Sequence, residues 1–373
     1  VDVERLKRNW SAVTGYGEQV PLYFYSTLFL TNPDLRQMFP TDMSAQRDRL
    51  VTALGHVVSN VDRVDELVGF LRDLGADHRR FGVRPEHYPM VGEALLATLR
   101  HFSGPWWGGE LAADWAAAYR LVAQAMVDGA RSAENVSPPW WVGRVVDHER
   151  FGFDVAVVTV RPSYLLPFVP GQSIGLSHAD TRVWRYFSPA NAPRADGTLE
   201  LHVRAVAGGT VSSRLVYGTS TGDEVHLCGP VGDRLTLTGV GEDLLLLAGG
   251  TGWAPLKAVV EQLVAAEDRR RVHLYVAAGS AAEFYDGAGV SKVAASCPGL
   301  TVRYAAGPAG VSRLVDVALS EGDWRDRHVY VCGSEKMVHY SVSRLRQAGH
   351  PEARLHHEPA GDHWYGMNRR LSG

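Results

Sequence analysis

At Ser137-Pro138-Pro139 this chain changes its period, and that change sets the architecture on either side. Upstream, apolar residues return at helical spacing. Val3, Leu6, Trp10 and Val13 form one stripe, and Val20, Phe24, Thr27 and Leu28 a second that stops before Asn32-Pro33. Leu50, Ala53, Leu54, Val57, Val58 and Val61 make a wide apolar face from about Ser44. Leu67, Leu71 and Leu74 follow, then Val91, Leu95 and Leu99, then Leu111, Trp115, Ala118, Tyr119, Val122 and Ala125. No β-alternating segment interrupts them. The two prolines close this region. Downstream come short strands at 141–146, 154–160, 173–176, 199–205 and 224–227, separated by turn residues, the pattern of a small antiparallel barrel. Finally the buried run 244–248 meets Gly249-Gly250-Thr251-Gly252-Trp253-Ala254-Pro255 and a helix. Further strands at 272–277, 300–304 and 328–331 complete the signature of a parallel α/β sheet. The expected fold is multidomain: all-α over 1–136, an antiparallel β-barrel over 137–240, and an α/β parallel-sheet domain over 241–373.

Composition narrows the function class. A chain of 373 residues holds two or three domains of about 100–200 residues. A net charge of −3 offers nothing for nucleic acid or an anionic membrane to attract. No apolar run reaches the ~18–20 residues that cross a bilayer, and Val1-Asp2-Val3-Glu4-Arg5 has no signal-peptide core. Cys228, Cys297 and Cys332 lie far apart, with neither a disulfide framework nor zinc spacing, which fits a reducing cytoplasm. The expectation is a cytoplasmic monomer that acts on small molecules.

Within the helical part, His78 shares a face with Leu67, Leu71 and Leu74, so its imidazole points where the leucines point. Tyr88 opens the next apolar stripe past a break at Gly82 and Pro85. A lone inward histidine is usually a satisfied core residue. Surrounded by six or more amphipathic helices, it is also what a globin needs to hold a flat apolar cofactor. Tyr25 sits off its helix's main stripe, Phe39 precedes the third helix, and Gln46 and Leu50 share a face four residues apart. Taken singly they read as a surface Tyr, a core Phe, a solvated Gln and a core Leu.

Together they resemble the globin half of the flavohaemoglobin family. The resemblance rests on the spacing from Gln46-Arg47 to His78, on Pro33-Asp34-Leu35 with Phe39, and on Pro85-Glu86-His87-Tyr88 with Val91-Gly92-Glu93 and 95–99. It implies haem b with His78 as the proximal iron ligand. Tyr25 would be the distal hydrogen-bond donor to the gaseous ligand and Gln46 its partner. Leu50 would wall the distal pocket, Phe39 would pack on the haem, and Tyr88 would belong to a proximal hydrogen-bond relay. Two departures stand out: Ala130 where the family usually has Glu, with Asp128 and Glu134 nearby, and Asp77 where it usually has Lys.

In the β part, Arg185 on a strand beside a hydroxyl suits bidentate binding of a pyrophosphate. Gly208-Gly209-Thr210-Val211-Ser212-Ser213 offers backbone N–H groups at a helix start. Each alone could be a surface Arg or an ordinary turn. With Pro170-Gly171-Gln172-Ser173 and Gly229-Pro230-Val231-Gly232 they resemble the FAD domain of the ferredoxin-reductase family. The resemblance implies an FAD site containing Ser173, Arg185, Tyr186, Phe187, Ser188, Gly209, Val211 and Ser212. The family's Arg-x-Tyr-Ser reads Arg185-Tyr186-Phe187-Ser188 here, so the ring is kept and the phenol lost. Ser173 also stands where Tyr is common.

Gly250, Thr251, Gly252 and Pro255, with Cys332-Gly333-Ser334, resemble the NAD(P)H domain of the same family. Gly333 and Ser334 would then lie near the nicotinamide; for Cys332, a small buried hydrophobe is an equal reading. Ala278-Gly279-Ser280 offers no Arg for a 2′-phosphate, which favours NADH, while Arg269-Arg270-Arg271 keeps NADPH open. Where the family has a flavin-covering aromatic after Glu358-Pro359, this chain has Ala360-Gly361, leaving Trp364 or Tyr365 to cap the flavin. The implied activity is nitric oxide dioxygenation, NO plus O₂ to nitrate, with electrons passing from NAD(P)H through FAD to haem. The departures leave two alternatives: a divergent member with another electron donor or acceptor, or a gas-binding globin that gates a reductase.

Overall fold

The computed structural model describes residues 1–178, 183–239 and 241–359. Two compact units divide between Trp140 and Trp141. The first is helical: α1 (Val3–Thr14), α2 (Gln19–Thr31), α3 (Ser44–Ser59), α4 (Val64–His78), α5 (His87–Ser103) and α6 (Gly109–Glu134). Asp2 caps α1, its carboxylate accepting from the Arg5 amide at 3.0 Å. Leu6, Trp10 and Val13 of α1 pack with Phe24 and Leu28 of α2, Leu95 and Leu99 of α5, and Trp115 of α6. A second cluster joins Leu67, Phe70 and Leu71 of α4 to Ala125 and Met126 of α6. These two helices touch backbone to backbone. A Cβ on Gly75 would lie 1.9 Å from the Met126 carbonyl oxygen, and one on Gly129 would lie 2.0 Å from that of Arg72. Two glycines therefore set how closely α4, which carries His78, lies against α6.

The second unit begins with a six-stranded antiparallel sheet: β1 (Trp141–Phe151), β2 (Val155–Pro162), β3 (Ser173–His178), β4 (Arg185–Phe187), β5 (Leu199–Arg204) and β6 (Glu224–Val231). The order is β4-β3-β6-β1-β2-β5. Beyond β4 one bridge joins Pro189 to Leu201 of β5, so the sheet curls round toward closure. Helix α7 (Thr210–Tyr217) presses Val211, Leu215 and Val216 into the same core as Val145, Val158, Val160, Leu201 and Leu227.

The rest is a parallel sheet of β7 (Leu244–Gly249), β8 (Val272–Ala278), β9 (Leu300–Ala306), β10 (His328–Gly333) and β11 (Leu355–Pro359), in the order β11-β10-β7-β8-β9. Helices α8 (Trp253–Ala265) and α9 (Gly287–Ser296) pack in one core, and α10 (Pro308–Glu321) and α11 (Glu335–Gln347) in the other. The chain moves outward from β7 to β8 and β9, then returns to β10 on β7's other side. That reversal opens a crevice at the carboxyl ends of β7 and β10, where such sheets bind ligands.

Candidate functional site

His78 is the last residue of α4. Beyond it the chain turns through Arg79–Phe81 to Gly82, whose φ of 74° is left-handed and ends the helical path. The imidazole Nδ1 lies 2.7 Å from the Leu74 carbonyl oxygen. A carbonyl only accepts, so Nδ1 carries the proton and Nε2 keeps its lone pair. Burial lowers the ring's pKa and favours this neutral, metal-binding form. Asp77, the charge-reversed neighbour, pairs with Arg80 at 2.8 Å, and the Arg80 side chain is 3% exposed. The reversal is thus neutralised within one turn.

The Tyr88 hydroxyl makes no hydrogen bond among the described residues; its carbonyl oxygen accepts from the Tyr119 hydroxyl at 2.6 Å. The relay expected between His78 and Tyr88 is not formed. Asp128 accepts from Gln124 at 2.8 Å and Glu134 is exposed at the end of α6, so neither supplies the carboxylate missing at Ala130.

Tyr25 is 6% exposed, and its ring packs on Phe24, Phe29 and Phe39. Its hydroxyl reaches the main-chain carbonyl of Gln46 at 3.4 Å, a long bond that leaves the phenol able to turn to another acceptor. The Gln46 side chain also lies close enough to the phenol to bond it and pull its pKa down. Burial pushes the Tyr25 pKa up to about 12, so it stays a donor. Arg36 binds the carbonyls of Phe39, Pro40 and Thr41 and braces the segment that presents Phe39. Of α3 only Val58 is fully buried; Leu50, Leu54 and Val57, like Phe39 and Leu74, are apolar and half-covered. Apolar faces left half-covered beside a neutral imidazole suit a flat apolar group with one axial protein ligand.

In the β-sheet, Phe187 pairs with Ile174, Tyr186 with Gly175 and Arg185 with Leu176. Arg185 and Phe187 therefore share a face that Tyr186 does not. Phe187 packs on the β core. Ser173 and Ser188 bond hydroxyl to hydroxyl at 2.9 Å. Arg185 donates to the Trp184 carbonyl at 2.9 Å. Gly209 begins α7 with no side-chain cap, leaving the first-turn amides to a ligand, whereas Val211 itself is in the core. The Ser212 hydroxyl accepts from the Val206 amide at 3.3 Å and shapes the same turn.

At the α/β crevice, Gly250–Gly252 forms one tight turn into α8. Pro255, in the first turn of α8, needs no N–H donor there. A Cβ on Gly252 would lie 2.3 Å from the Cys332 carbonyl oxygen, and one on Gly249 would lie 2.3 Å from the Met337 sulfur. The turn carrying Thr251 and the turn at Gly333 are thus held against each other by their bare backbones. The Ser334 hydroxyl caps α11 by accepting from the Met337 amide at 3.4 Å. Trp364 and Tyr365 lie outside the described residues.

Several residues here were not singled out from sequence. Glu358 is 7% exposed and pairs in register with Cys332; burial pushes its pKa up to about 8. Lys257, 6% exposed, donates to Glu200 at 2.9 Å, Glu261 at 2.8 Å and the Ala190 carbonyl at 3.0 Å, tying α8 to the β-sheet. Its signal was a lone cation on the apolar face of α8 with Glu261 four residues on. Glu200 also meets His202, whose Nδ1 bonds the Tyr285 hydroxyl at 2.7 Å. Among the described residues no helix is long and apolar enough to cross a membrane.

Three family models match this order of parts: globin over residues 22–126, oxidoreductase FAD-binding domain over 143–234, and oxidoreductase NAD-binding domain over 246–343. The chain is similar to a flavohemoprotein of Bacillus subtilis, at 24% identity with 96% of each chain covered. It is also similar to one of Bordetella pertussis, at 27% identity with 93% of this chain and 94% of that one covered. A crystal structure of flavohemoglobin from Malassezia yamatoensis with bound FAD and heme matches with a TM-score of 0.72 at 19% identity, covering 96% of this chain and 98% of that one. At that identity the likeness speaks for the fold.

Proposed function

Since the chain belongs to the flavohaemoglobin family, an NAD(P)H-dependent flavohaem oxidoreductase with haem, FAD and NAD(P)H as its cofactors, we propose that it is a nitric oxide dioxygenase. Bound haem would supply the iron for combining O₂ with NO, and bound FAD would take the hydride of NAD(P)H as an electron pair and pass the electrons on singly. We assign the haem to residues 1–136, the FAD to 137–240 and the nucleotide to 241–373. His78, held neutral by Leu74, would offer Nε2 to the metal. Tyr25 would turn its hydroxyl from Gln46 toward the gas, and a donor there stabilises developing negative charge by about 1.5–3 kcal/mol. Phe39 and Leu50 would exclude water. Arg185 and the start of α7 would hold the flavin's phosphates. The observation that carries the reading is the pairing, in one helical unit, of a neutral imidazole having an open lone pair with a buried phenol that is held by Gln46, through a long bond to its carbonyl and through its side chain.

The donor is NADH rather than NADPH in this reading. Just past β8 the Glu283 carboxylate accepts from the Ser280 hydroxyl at 3.1 Å, where a 2′-phosphate would be repelled. Arg270 and Arg271, at the other end of β8, pair with Asp268 and Asp243. The test is stopped-flow mixing of haem- and FAD-loaded protein with NADH, then with O₂ and NO. Sequential reduction of flavin and haem followed by catalytic loss of NO is expected. The packing of Phe187 on the β core, without the family's phenol, favours a second reading with another electron donor. Flavin that stays oxidised in NADH while the haem still binds ligands would decide for it.

A further inference from the structure

The geometry points to a binding site for a divalent transition ion of the zinc class, separate from the haem iron and made by His328, His356 and Thr238. His328 begins β10, and His356 lies on β11 opposite Tyr330 of β10, so both rings stand on one face of the parallel sheet. This is the amino end of β10, away from the crevice at its carboxyl end. His328 Nδ1 lies 2.9 Å from His356 Nε2. The Thr238 hydroxyl, in the segment that joins β6 to β7, lies 3.4 Å from the first nitrogen and 3.1 Å from the second. Zinc holds imidazole nitrogens at about 2.0–2.1 Å in a tetrahedron, whose edges are then roughly 3.3 Å. The three spacings bracket that edge, so one ion reaches all three atoms after small shifts.

The surroundings hold these groups in place for an ion. His356 stacks on Tyr330, with ring centroids 4.4 Å apart and planes 18° from parallel. The Tyr330 hydroxyl accepts from the Thr238 amide at 2.9 Å and seats the segment that carries the Thr238 hydroxyl. On the other side of His328, Glu242 Oε2 is buried and accepts no hydrogen bond. A Cβ on Gly239 would lie 2.6 Å from that oxygen and 2.9 Å from His328 Nε2, so carboxylate and ring nitrogen flank one bare stretch of backbone. A carboxylate on that side keeps the proton on Nε2 and leaves Nδ1 its lone pair, as carboxylates do behind metal-binding imidazoles. Without the ion, His356 donates from Nε2 to His328 Nδ1. The ion takes the place of that shared proton, and His356 carries its proton on Nδ1 instead. Arg270, which donates to the Glu242 carbonyl oxygen at 3.4 Å, is paired with Asp268 at 2.7 Å. Thr238 is exposed, which gives the ion and a water as fourth ligand a way in. Once bound, the ion would staple the segment between β6 and β7 to β10 and β11.

Calorimetric titration of the haem- and FAD-loaded protein with zinc chloride tests this, on protein without an affinity tag and first freed of loose metal by a chelator. One equivalent of zinc should bind with micromolar affinity and raise the melting temperature. His328→Gln and His356→Gln should each weaken that binding by about tenfold or more, and Glu242→Gln by about tenfold, the lower end for a group that orients a ligand. Thr238→Val should give a smaller loss. X-ray absorption at the zinc edge should show two imidazole ligands in the wild-type protein and fewer in either histidine variant. The chain has 15 histidines, so zinc that binds as tightly in both His328→Gln and His356→Gln sits elsewhere and overturns the site. Should His356→Gln fail to fold for want of its stack on Tyr330, unchanged affinity in His328→Gln and Glu242→Gln overturns it equally. A wild-type protein that takes up no zinc overturns it outright.

Discussion

The imidazole of His78 donates through Nδ1 to the carbonyl oxygen of Leu74, 2.7 Å away and one helical turn back, and to no side chain. A carbonyl takes no proton, so it fixes the ring without giving it imidazolate character. The Tyr88 hydroxyl stands outside this bond. Tyr88→Phe should therefore leave the iron–imidazole stretching frequency of the ferrous protein at its wild-type value, as read by resonance Raman. A clear downshift would mean that Tyr88 strengthens the ligand after all.

Tyr25 makes a 3.4 Å bond to the Gln46 carbonyl, lies beside the Gln46 side chain and packs on the rings of Phe24, Phe29 and Phe39. Tyr25→Phe should fold normally, since little hydrogen bonding is lost. Its oxygen dissociation rate should rise by about tenfold or more, the share of one hydrogen bond to a charged acceptor. Flash photolysis with oxygen rebinding checks this, and an unchanged rate would remove Tyr25 from the distal role.

Lys257 holds two carboxylates, from Glu200 and Glu261, in a mostly covered setting. Removing the cation leaves Glu261 without its ion pair and Glu200 with Arg194 and His202 alone, and breaking such a pair costs about 3–5 kcal/mol when fully buried. Glu261 is 27% exposed, so the lower end applies. Lys257→Met should lower stability in urea unfolding, and Lys257→Met with Glu261→Gln should recover part of it. Additive losses would show that the groups are not coupled.

Glu358 has its pKa raised to about 8 by burial, from 4.5 when exposed. A group with a raised folded pKa gives its full stability below the unfolded value and loses it as pH rises through the folded one. Stability should therefore fall between about pH 4.5 and 8, by on the order of a few kcal/mol, as the buried carboxyl ionises. Glu358→Gln should flatten that part of the melting-temperature profile and be the more stable protein at pH 8. A profile unchanged by the substitution would show that Glu358 ionises freely.

Gly75→Ala and Gly129→Ala each place a methyl within 2.0 Å of a facing carbonyl oxygen. Alanine favours a helix by about 1 kcal/mol over glycine, but forcing α4 and α6 apart should outweigh that gain. A net loss of about 1–3 kcal/mol is expected, with weaker haem retention because His78 moves with α4. Calorimetry and haem-transfer rates check it, and a stabilised Gly75→Ala protein would deny the close approach.

How much of this was legible in the sequence varies by element. The end of α2 before Asn32-Pro33 and the strand–turn–helix at β7 and α8 follow from local chemistry, and the structure has them where the periodicity puts them. Strand β1 runs to Phe151, beyond the expected 146, because His148, Glu149 and Arg150 pair with β2 while offering no apolar alternation to read. Strand β6 continues through Gly229-Pro230-Val231, residues that read as a turn, because β3 supplies partners for Val231 and Pro230. His78 was legible as an inward histidine, but its partner was not: a backbone carbonyl carries no side-chain signal. His328 and Glu358 gain their meaning from neighbours far off in sequence, His356 and Cys332, which only the fold supplies.

The cation of α8, seated under Ala190, also bears on how such a chain can be divided and recombined. Three modules can be read along the sequence, but the last two share Lys257, the Glu261 carboxylate that accepts from the Ala192 amide, and the His202–Tyr285 bond. A cut at 240 would strand Glu200 and His202 on one fragment and their partners on the other. The oxidoreductase half therefore holds together as a single piece, whereas a cut at the proline pair before Trp140 severs none of these bonds.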